Sequence, residues 1–78
     1  NAVCREHIIM KVGNGPASRQ PVIEIANLFR AKVVNVAESR LMLELTGEPE
    51  KIDSFIGLLQ PYGVKEIVRT GISALERD

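Results

Sequence analysis

The side chains that could do chemistry in this sequence are few and scattered. His7 is the only histidine and Cys4 the only cysteine in 78 residues. A general base needs an oriented nucleophile or acid beside it, and no serine or cysteine can be argued to accompany His7. Nothing around Cys4 in the sequence favours a reactive thiolate. We therefore predict a surface or interface histidine and a buried or incidental thiol, not a catalytic pair.

A glycine-rich turn suggests a second kind of chemistry, phosphate binding. The run Gly13-Asn14-Gly15 lies between a predicted strand and a predicted helix. It lacks the later glycine of a dinucleotide-binding loop and the Gly-Lys-Ser/Thr of a P-loop, so a plain turn is favoured. Six carboxylates form no obvious acidic pair, and most fall at predicted helix ends or on solvated faces: Glu24, Glu38, Glu44, Glu48, Glu50 and Asp53.

Composition narrows the function classes further. Ten basic and ten acidic side chains cancel, 45% of the residues are apolar and 26% are charged. This balance is typical of one globular domain without net attraction to nucleic acid or an anionic membrane. A single cysteine excludes an internal disulfide, a cysteine-based zinc site and the CxxC of a copper chaperone, and it fits a reducing compartment. No membrane-spanning run or signal peptide is visible, and we expect residues 3–78 to form the domain, with Asn1-Ala2 a cloning scar.

Two helices with the same apolar spacing are the first elements that position these side chains. Apolar residues at i, i+3, i+4 and i+7 lie on one face of a helix. Ser18 is predicted to cap the first helix, with Pro21 in its first turn and Arg30 near its end. Pro49 is predicted at the favoured first position of the second helix, which ends near Gln60. The two stripes are Val22, Ile25, Ala26 and Phe29, then Ile52, Phe55, Ile56 and Leu59.

Short apolar runs before and after these helices predict four strands. Their order with the helices is βαββαβ, and right-handed crossovers place both helices on one face of a four-stranded antiparallel sheet. The predicted fold class is therefore α+β, a ferredoxin-like sandwich. The strands are expected at residues 5–12, 32–37, 40–46 and 64–74, with Gly71 interrupting the last strand and 75–78 forming a loose tail.

One face of this sheet is expected to stay bare. Leu41, Leu43 and Leu45 alternate along the third strand and are expected to face the helices. A bare face that mixes charged with apolar residues is a plausible docking surface. The residues expected there are Arg40, Met42, Glu44, His7, Ile9 and Lys11.

RNA-recognition domains share this element order, and they stack bases on aromatic side chains of the open sheet. Here Phe29 and Phe55 belong to the helix stripes, and Tyr62 lies in a turn. With a net charge of zero as well, RNA binding is disfavoured.

Four residues are candidates for contacts with a partner protein. Alternation along the fourth strand is expected to put the Arg69 guanidinium on the open face, and arginine is frequent at interfaces because its planar head makes bidentate contacts. Gly71 within a strand suggests a bulge or a close backbone approach. The predicted interface residues are Arg30, Arg69, Thr70 and Gly71. A purely structural explanation carries equal weight: the arginine side chain would lie along apolar surface with its charge in water, and the glycine would relieve strand twist.

The order and spacing of several segments resemble the C-terminal domain of the regulatory (small) subunit of acetolactate synthase, also called acetohydroxyacid synthase. The resemblance covers nearly the whole chain from Arg5 to Arg77. Two positions depart from it, because family members commonly carry Gly where Ala31 stands and Asp where Asn35 stands. The matching segments are residues 5–12 (REHIIMKV), 28–36 (LFRAKVVNV), 45–47 (LTG), 51–55 (KIDSF) and 61–72 (PYGVKEIVRTGI).

This resemblance implies a regulatory rather than a catalytic role. The small subunit is expected to have an N-terminal ACT domain followed by this ACT-like domain, to form a homodimer and to bind the large catalytic subunit. That large subunit uses thiamine diphosphate, magnesium and FAD to condense pyruvate with a second 2-oxoacid in branched-chain amino acid synthesis. The small subunit raises activity and confers feedback inhibition, typically by valine. No catalytic, cofactor-binding or metal residues are expected on this chain, and its location would be the cytoplasm of a bacterium or the plastid of a plant.

A rival hypothesis stays open from the sequence. The domain could itself sense a small molecule, binding an amino acid between paired copies as ACT domains do. The effector pocket implied by the resemblance lies between N-terminal ACT domains, so we do not place valine on this chain.

Overall fold

The described residues form four strands and two α-helices in the predicted order. A computed structural model describes the backbone of residues 2–13 and 15–76 and the side chains of residues 4–13 and 15–70. The elements are β1 (Ala2–Gly13), α1 (Arg19–Phe29), β2 (Lys32–Val36), β3 (Arg40–Gly47), α2 (Pro49–Leu59), a 3-10 turn (Gln60–Tyr62) and β4 (Val64–Glu76).

The strands form one antiparallel sheet in the spatial order β2-β3-β1-β4. The central strands β1 and β3 pair from Glu6 opposite Gly47 to Gly13 opposite Arg40. Both helices bury their apolar residues in the same core cluster on one side of this sheet. The ferredoxin-like architecture predicted from the sequence is therefore confirmed.

β1 and β4 are longer than the sequence predicted. Their backbones pair from Ala2 opposite Glu76 onward, so the loose tail predicted for 75–78 is wrong at residues 75 and 76. Gly71 does not interrupt β4, because a register shift there takes up one extra residue without ending the ladder. Residues 2–5 and 73–76 extend beyond β3 as a two-stranded ribbon. Asn1 of the expected scar and residues 77 and 78 of the expected tail lie outside the described residues.

The core is a single apolar layer between the helices and one face of the sheet. Leu41, Leu43 and Leu45 are buried there, as predicted. Phe55 is the largest fully buried side chain, and its ring centroid lies 5.2 Å from that of Phe29, which joins the two helices. Each large apolar side chain buried in this way contributes about 1.5–3 kcal/mol. The rest of the buried layer consists of Ile8, Met10, Val12, Val22, Ala26, Ile52 and Leu59.

The first helix ends in a left-handed residue. Arg30 has φ 60°, a conformation in which a side chain is strained and glycine is preferred. The N–H of Ala31 donates to the carbonyl of Ala26 at 2.8 Å, and that of Arg30 donates to the carbonyl of Asn27 at 3.1 Å. These two bonds form a Schellman motif, which satisfies carbonyls that the helix leaves unpaired.

The helix starts agree with the sequence except in one detail. Ser18 precedes α1 as predicted, but its hydroxyl makes no capping bond to the helix and instead accepts a hydrogen bond from the N–H of Gly15 at 3.2 Å. Pro49 is the first residue of α2, with Glu50 in the same turn near the positive end of the helix dipole. Each helix has 11 residues, too few to span a membrane, and the described residues contain no longer helix.

The two faces of β3 predict opposite responses to truncation. Leu43→Ala should lower the free energy of unfolding by about 2–5 kcal/mol, because it leaves a cavity in a fully buried layer. Met42→Ala, one residue away on the half-buried open face, should lower it much less. Urea unfolding followed by circular dichroism measures both values. Equal losses of unfolding free energy in the two variants would contradict a core that lies on only one face of the sheet.

Candidate interaction surfaces

The bare face of the sheet carries the mixed surface that the sequence predicted. His7, Ile9 and Lys11 alternate with the buried residues of β1, so their side chains lie opposite the helices. On β3, Met42 lies opposite Lys11 and Glu44 opposite Ile9, and all five side chains are half-buried.

A histidine–carboxylate contact and an ion pair, both between neighbouring strands, frame the apolar part of this face. Nε2 of His7 lies 3.3 Å from Oε2 of Glu44, and Nζ of Lys11 lies 3.2 Å from Oε1 of Glu66. Partly exposed pairs like these contribute little to stability, typically about 0–1 kcal/mol. Between them lies an apolar patch, which we call the open-face patch, formed by Ile9, Met42 and Val68.

Arg69 does not lie on the open face, so that prediction is wrong. Its partner on β1 is the buried Ile8, and residues opposite each other across a sheet share a face. Val64 faces the helices, because it lies opposite the buried Val12. If side chains alternated without interruption from Val64, Arg69 would face away from the helices. A register shift at Lys65 inserts one residue into β4 and reverses the faces beyond it.

On the helix side, Arg69 joins three elements. Its Nε donates to Oε2 of Glu6 on β1 at 2.9 Å, and its Nη2 donates both to Oε1 of Glu6 and, at 3.2 Å, to Oδ1 of Asp53 on α2. The hydrogen bonds to Glu6, and then to Asp53, raise the pKa of Arg69 above its ordinary value. The guanidinium therefore stays charged and serves as a structural clasp between β1, β4 and α2.

Glu6 is the residue that reading the sequence missed. Its side chain is 7% exposed, which makes it the one charged residue buried within the described part of the chain. A buried carboxylate needs a cation or hydrogen-bond donors, because an unpaired charge is costly away from water. The sequence did contain a signal for this burial, because Glu6 alternates in step with Ile8, Met10 and Val12 and must share their buried face. A carboxylate at that position requires a cation beside it.

Thr70 and Gly71 lie at the β4 bulge that the sequence suggested. Glu6 pairs with Ile72 and Ile8 with Arg69, so these two residues together face the single residue His7. The Thr70 hydroxyl donates to the carbonyl of His7 at 3.0 Å. Thr70 therefore helps to hold the bulge in place.

Arg30 lies on the other side of the molecule, in the turn from α1 to β2, whereas Arg69 is on the opposite edge strand. The structure therefore does not bring the four predicted interface residues into one patch. Their role in a partner contact stays a prediction.

The glycines of the first turn have a structural explanation. The N–H of Gly13 donates to the carbonyl of Gly63 at 2.9 Å, and a Cβ at Gly13 would lie 3.2 Å from the Tyr62 carbonyl oxygen. Asn14 lies outside the described residues. Beyond Gly15 an open hollow of about 530 Å³ separates the start of α1 from the end of β2, and it is lined by Gly15, Pro16, Arg19, Val36, Ala37 and Glu38.

The titratable residues named as chemical candidates do not converge. Cys4 is exposed in β1 and forms no disulfide, where a buried position was one of the two expectations. Among the described residues no three histidine, cysteine, aspartate or glutamate side chains come close enough to hold a metal ion.

A ferredoxin-like sheet with both helices on one face is the architecture of an ACT-like domain. A family model for the small subunit of acetolactate synthase matches residues 5–78. The chain belongs to the acetolactate synthase small-subunit family, as the resemblance predicted.

Individual relatives agree with this assignment. The chain is 43% identical over 77 residues to the acetolactate synthase small subunit of Mycolicibacterium smegmatis, covering 99% of this chain and 45% of that protein. It is 44% identical over 75 residues to that of Bacillus subtilis, covering 96% and 44%. The crystal structure of the acetolactate synthase small subunit from Thermotoga maritima matches with a TM-score of 0.91 at 36% identity, covering 99% and 47%. The chain thus spans a little under half the length of these relatives.

The clasp predicts an order of stabilities. Arg69→Ala should lower the midpoint of urea unfolding more than Asp53→Ala, because only Arg69→Ala leaves the buried Glu6 carboxylate without a cation. The double variant Glu6→Leu with Arg69→Met should recover most of this loss, since apolar chains of similar length fill the same space. Equal midpoints for the two single alanine variants would show that Glu6 does not depend on Arg69.

Proposed function

We propose that this chain is the C-terminal ACT-like domain of the small regulatory subunit of an acetolactate synthase. In this role it takes part in subunit assembly, activation of the catalytic subunit and feedback inhibition in the synthesis of valine, leucine and isoleucine. The observation that carries the proposal is the family match over residues 5–78, together with the TM-score of 0.91 to a small subunit of known structure.

The proposal assigns the chemistry to other parts of the assembly. The large catalytic subunit holds thiamine diphosphate, magnesium and FAD, and an N-terminal ACT domain of the same small subunit holds the effector. The small subunits act as a homodimer. We place the assembly in the cytoplasm of a bacterial cell, or in the plastid of a plant cell.

A regulatory domain acts through a difference in its affinity for two states of its partner. Coupling free energies of about 1–3 kcal/mol are typical, so a small number of contacts is sufficient. The open-face patch fits this task, because it offers apolar area at its centre and charged residues at its rim. Val68, at 46% exposed, is the most accessible side chain of the patch.

Arg30 is the sequence-predicted interface arginine that takes no part in the clasp. Its side chain is exposed, and within the part of the chain that the structure describes it makes no ion pair. Arg69, in contrast, is held by Glu6 and Asp53, so replacing it would test the fold as well as the interface.

A charge placed on the open-face patch should weaken the regulatory complex. Val68→Glu in the full small subunit should lower its affinity for the catalytic subunit at least tenfold and reduce activation in proportion. Leu28→Glu is the matched control, because Leu28 is 76% exposed on α1, on the opposite side of the sheet. Co-purification and an acetolactate synthesis assay with and without valine measure the effects.

Deleting this domain from the full small subunit should abolish activation of the catalytic subunit. Full activation after the deletion would show that the proposed function is wrong.

A second candidate function rests on the hollow between α1 and β2. Arg19 and Glu38 both line it, and their side chains carry the two opposite charges that a free amino acid would need. In this alternative the domain senses an amino acid by itself.

Isothermal titration calorimetry distinguishes the two functions. Valine, leucine and isoleucine are titrated into the full small subunit and into its Arg19→Ala variant. The regulatory scaffold predicts the same heat in both, because the effector binds elsewhere. A loss of heat in the Arg19→Ala variant would favour the sensor.

A further inference from the structure

One corner of the bare sheet face carries an excess of positive charge. It lies where β1 ends, beside the first residues of β3 and β4. A hollow of about 150 Å³ opens there, and among the described residues no acidic side chain lines it. Because it combines a lysine and an arginine without a carboxylate, the hollow favours an anion. Its lining residues are Lys11, Asn35, Ala37, Arg40 and Met42.

Strand pairing places the polar lining residues on the open face. Lys11 of β1 lies opposite Met42 of β3, and Asn35 of β2 lies opposite Met42 from the other side. Residues opposite each other across a sheet share a face, so these three side chains form one row. Arg40 shares that face as well, because it precedes Met42 by two residues in the same strand.

Lys65 brings a further cation to this corner from β4. It is the extra residue of the bulge opposite Lys11 and Val12. A Cβ at Gly13 would lie 4.0 Å from Cε of Lys65, so the lysine chain passes close to the glycine, and Arg40 lies opposite Gly13 on β3. The glycine leaves a gap between these two cations. We call this corner the cationic notch and define it by Gly13, Arg40 and Lys65.

The two cations of the notch are left for an outside partner. Arg40 and Lys65 are exposed, and neither forms an ion pair with another side chain in the part of the chain that the structure describes. The carboxylate of Glu66 is already engaged, because its Oε1 lies 3.2 Å from Nζ of Lys11. A protein surface that covered the notch would have to supply negative charge, since a covered and unpaired cation is costly.

We propose that the cationic notch binds a carboxylate side chain of the catalytic subunit, an aspartate or glutamate flanked by apolar residues. This inference rests on the proposed function, and it adds the charge of the surface that meets the open-face patch. Met42 belongs to both the hollow and the patch, so one partner surface can contact both. The Arg40 guanidinium offers two parallel N–H donors to a carboxylate, and the Asn35 amide can donate another hydrogen bond.

A partner with many phosphates fits this face less well. Nucleic acids and anionic membranes are bound by broad basic surfaces, usually on chains with an excess of positive charge. Here ten basic and ten acidic residues cancel, and the carboxylates of Glu44 and Glu66 lie on the same face as the notch. Two free cations beside an apolar patch match a protein surface that carries few carboxylates.

Zero-length cross-linking in the complete enzyme complex tests the contact. A carbodiimide activates a carboxylate, and a lysine amine in contact with it then forms an amide while the urea leaves. Mass spectrometry of the digested complex should show Lys65 joined to an aspartate or glutamate of the catalytic subunit. Lys51 is the matched control, because it is exposed on α2 on the opposite side of the sheet, and it should give about tenfold less cross-linked product.

Charge reversal measures what the notch contributes to affinity. Arg40→Glu or Lys65→Glu in the full small subunit should lower its affinity for the catalytic subunit about tenfold. Lys51→Glu makes the same change of charge on the helix side and should leave the affinity unchanged. Salt should weaken the complex of the unmodified small subunit more than that of Arg40→Gln, because salt screens the charge that this variant lacks. Biolayer interferometry measures these affinities, and unchanged urea midpoints would confirm that the variants fold.

Three results would overturn the carboxylate contact. They are the absence of any cross-link from Lys65, cross-links from Lys65 only to a second copy of this chain, and equal affinities for Arg40→Glu and Lys51→Glu. In each case, activation by the unmodified small subunit would leave the regulatory role standing. If Lys65 is joined to the catalytic subunit but the unmodified small subunit does not activate it, the contact stands and the regulatory role is wrong.

Discussion

One-sided burial is the constraint on which the rest of this structure depends. Two helices of 11 residues each cover one face of a four-stranded sheet, and the apolar layer between them is the core. A layer this small cannot also cover the outer edge strand or the opposite face. The bare face and the exposed valines of β2 are therefore consequences of the same limited cover.

The clasp of Arg69, Glu6 and Asp53 shows how a domain of this size places charge inside its core layer. The Glu6 carboxylate lies on the inward face of β1, at the end of a row of apolar residues. Its cation comes from β4, and the same cation reaches α2. Ion pairs of this kind are weak sources of stability but costly to break, so the clasp ties these elements together more than it strengthens the fold.

Family membership and geometry contribute different parts of the functional argument. The family match places the chain among the small subunits of acetolactate synthase, and this chain spans a little under half of its relatives' length. Geometry shows which surfaces of this half are available: a mixed bare face, an apolar edge strand and a shallow hollow beside α1.

The sequence by itself determined the elements and the inward face of β3, because apolar periods of 3.6 and two act within one segment. Leu41, Leu43 and Leu45 face the helices as their alternation requires, and both helix stripes pack into the core. Only the tertiary structure decided the faces of Arg69 and Val34. An extra residue at Lys65 reverses β4, and another in β2 gathers three valines on one side. A bulge is a relation between two strands, so counting residues along either strand alone cannot reveal it.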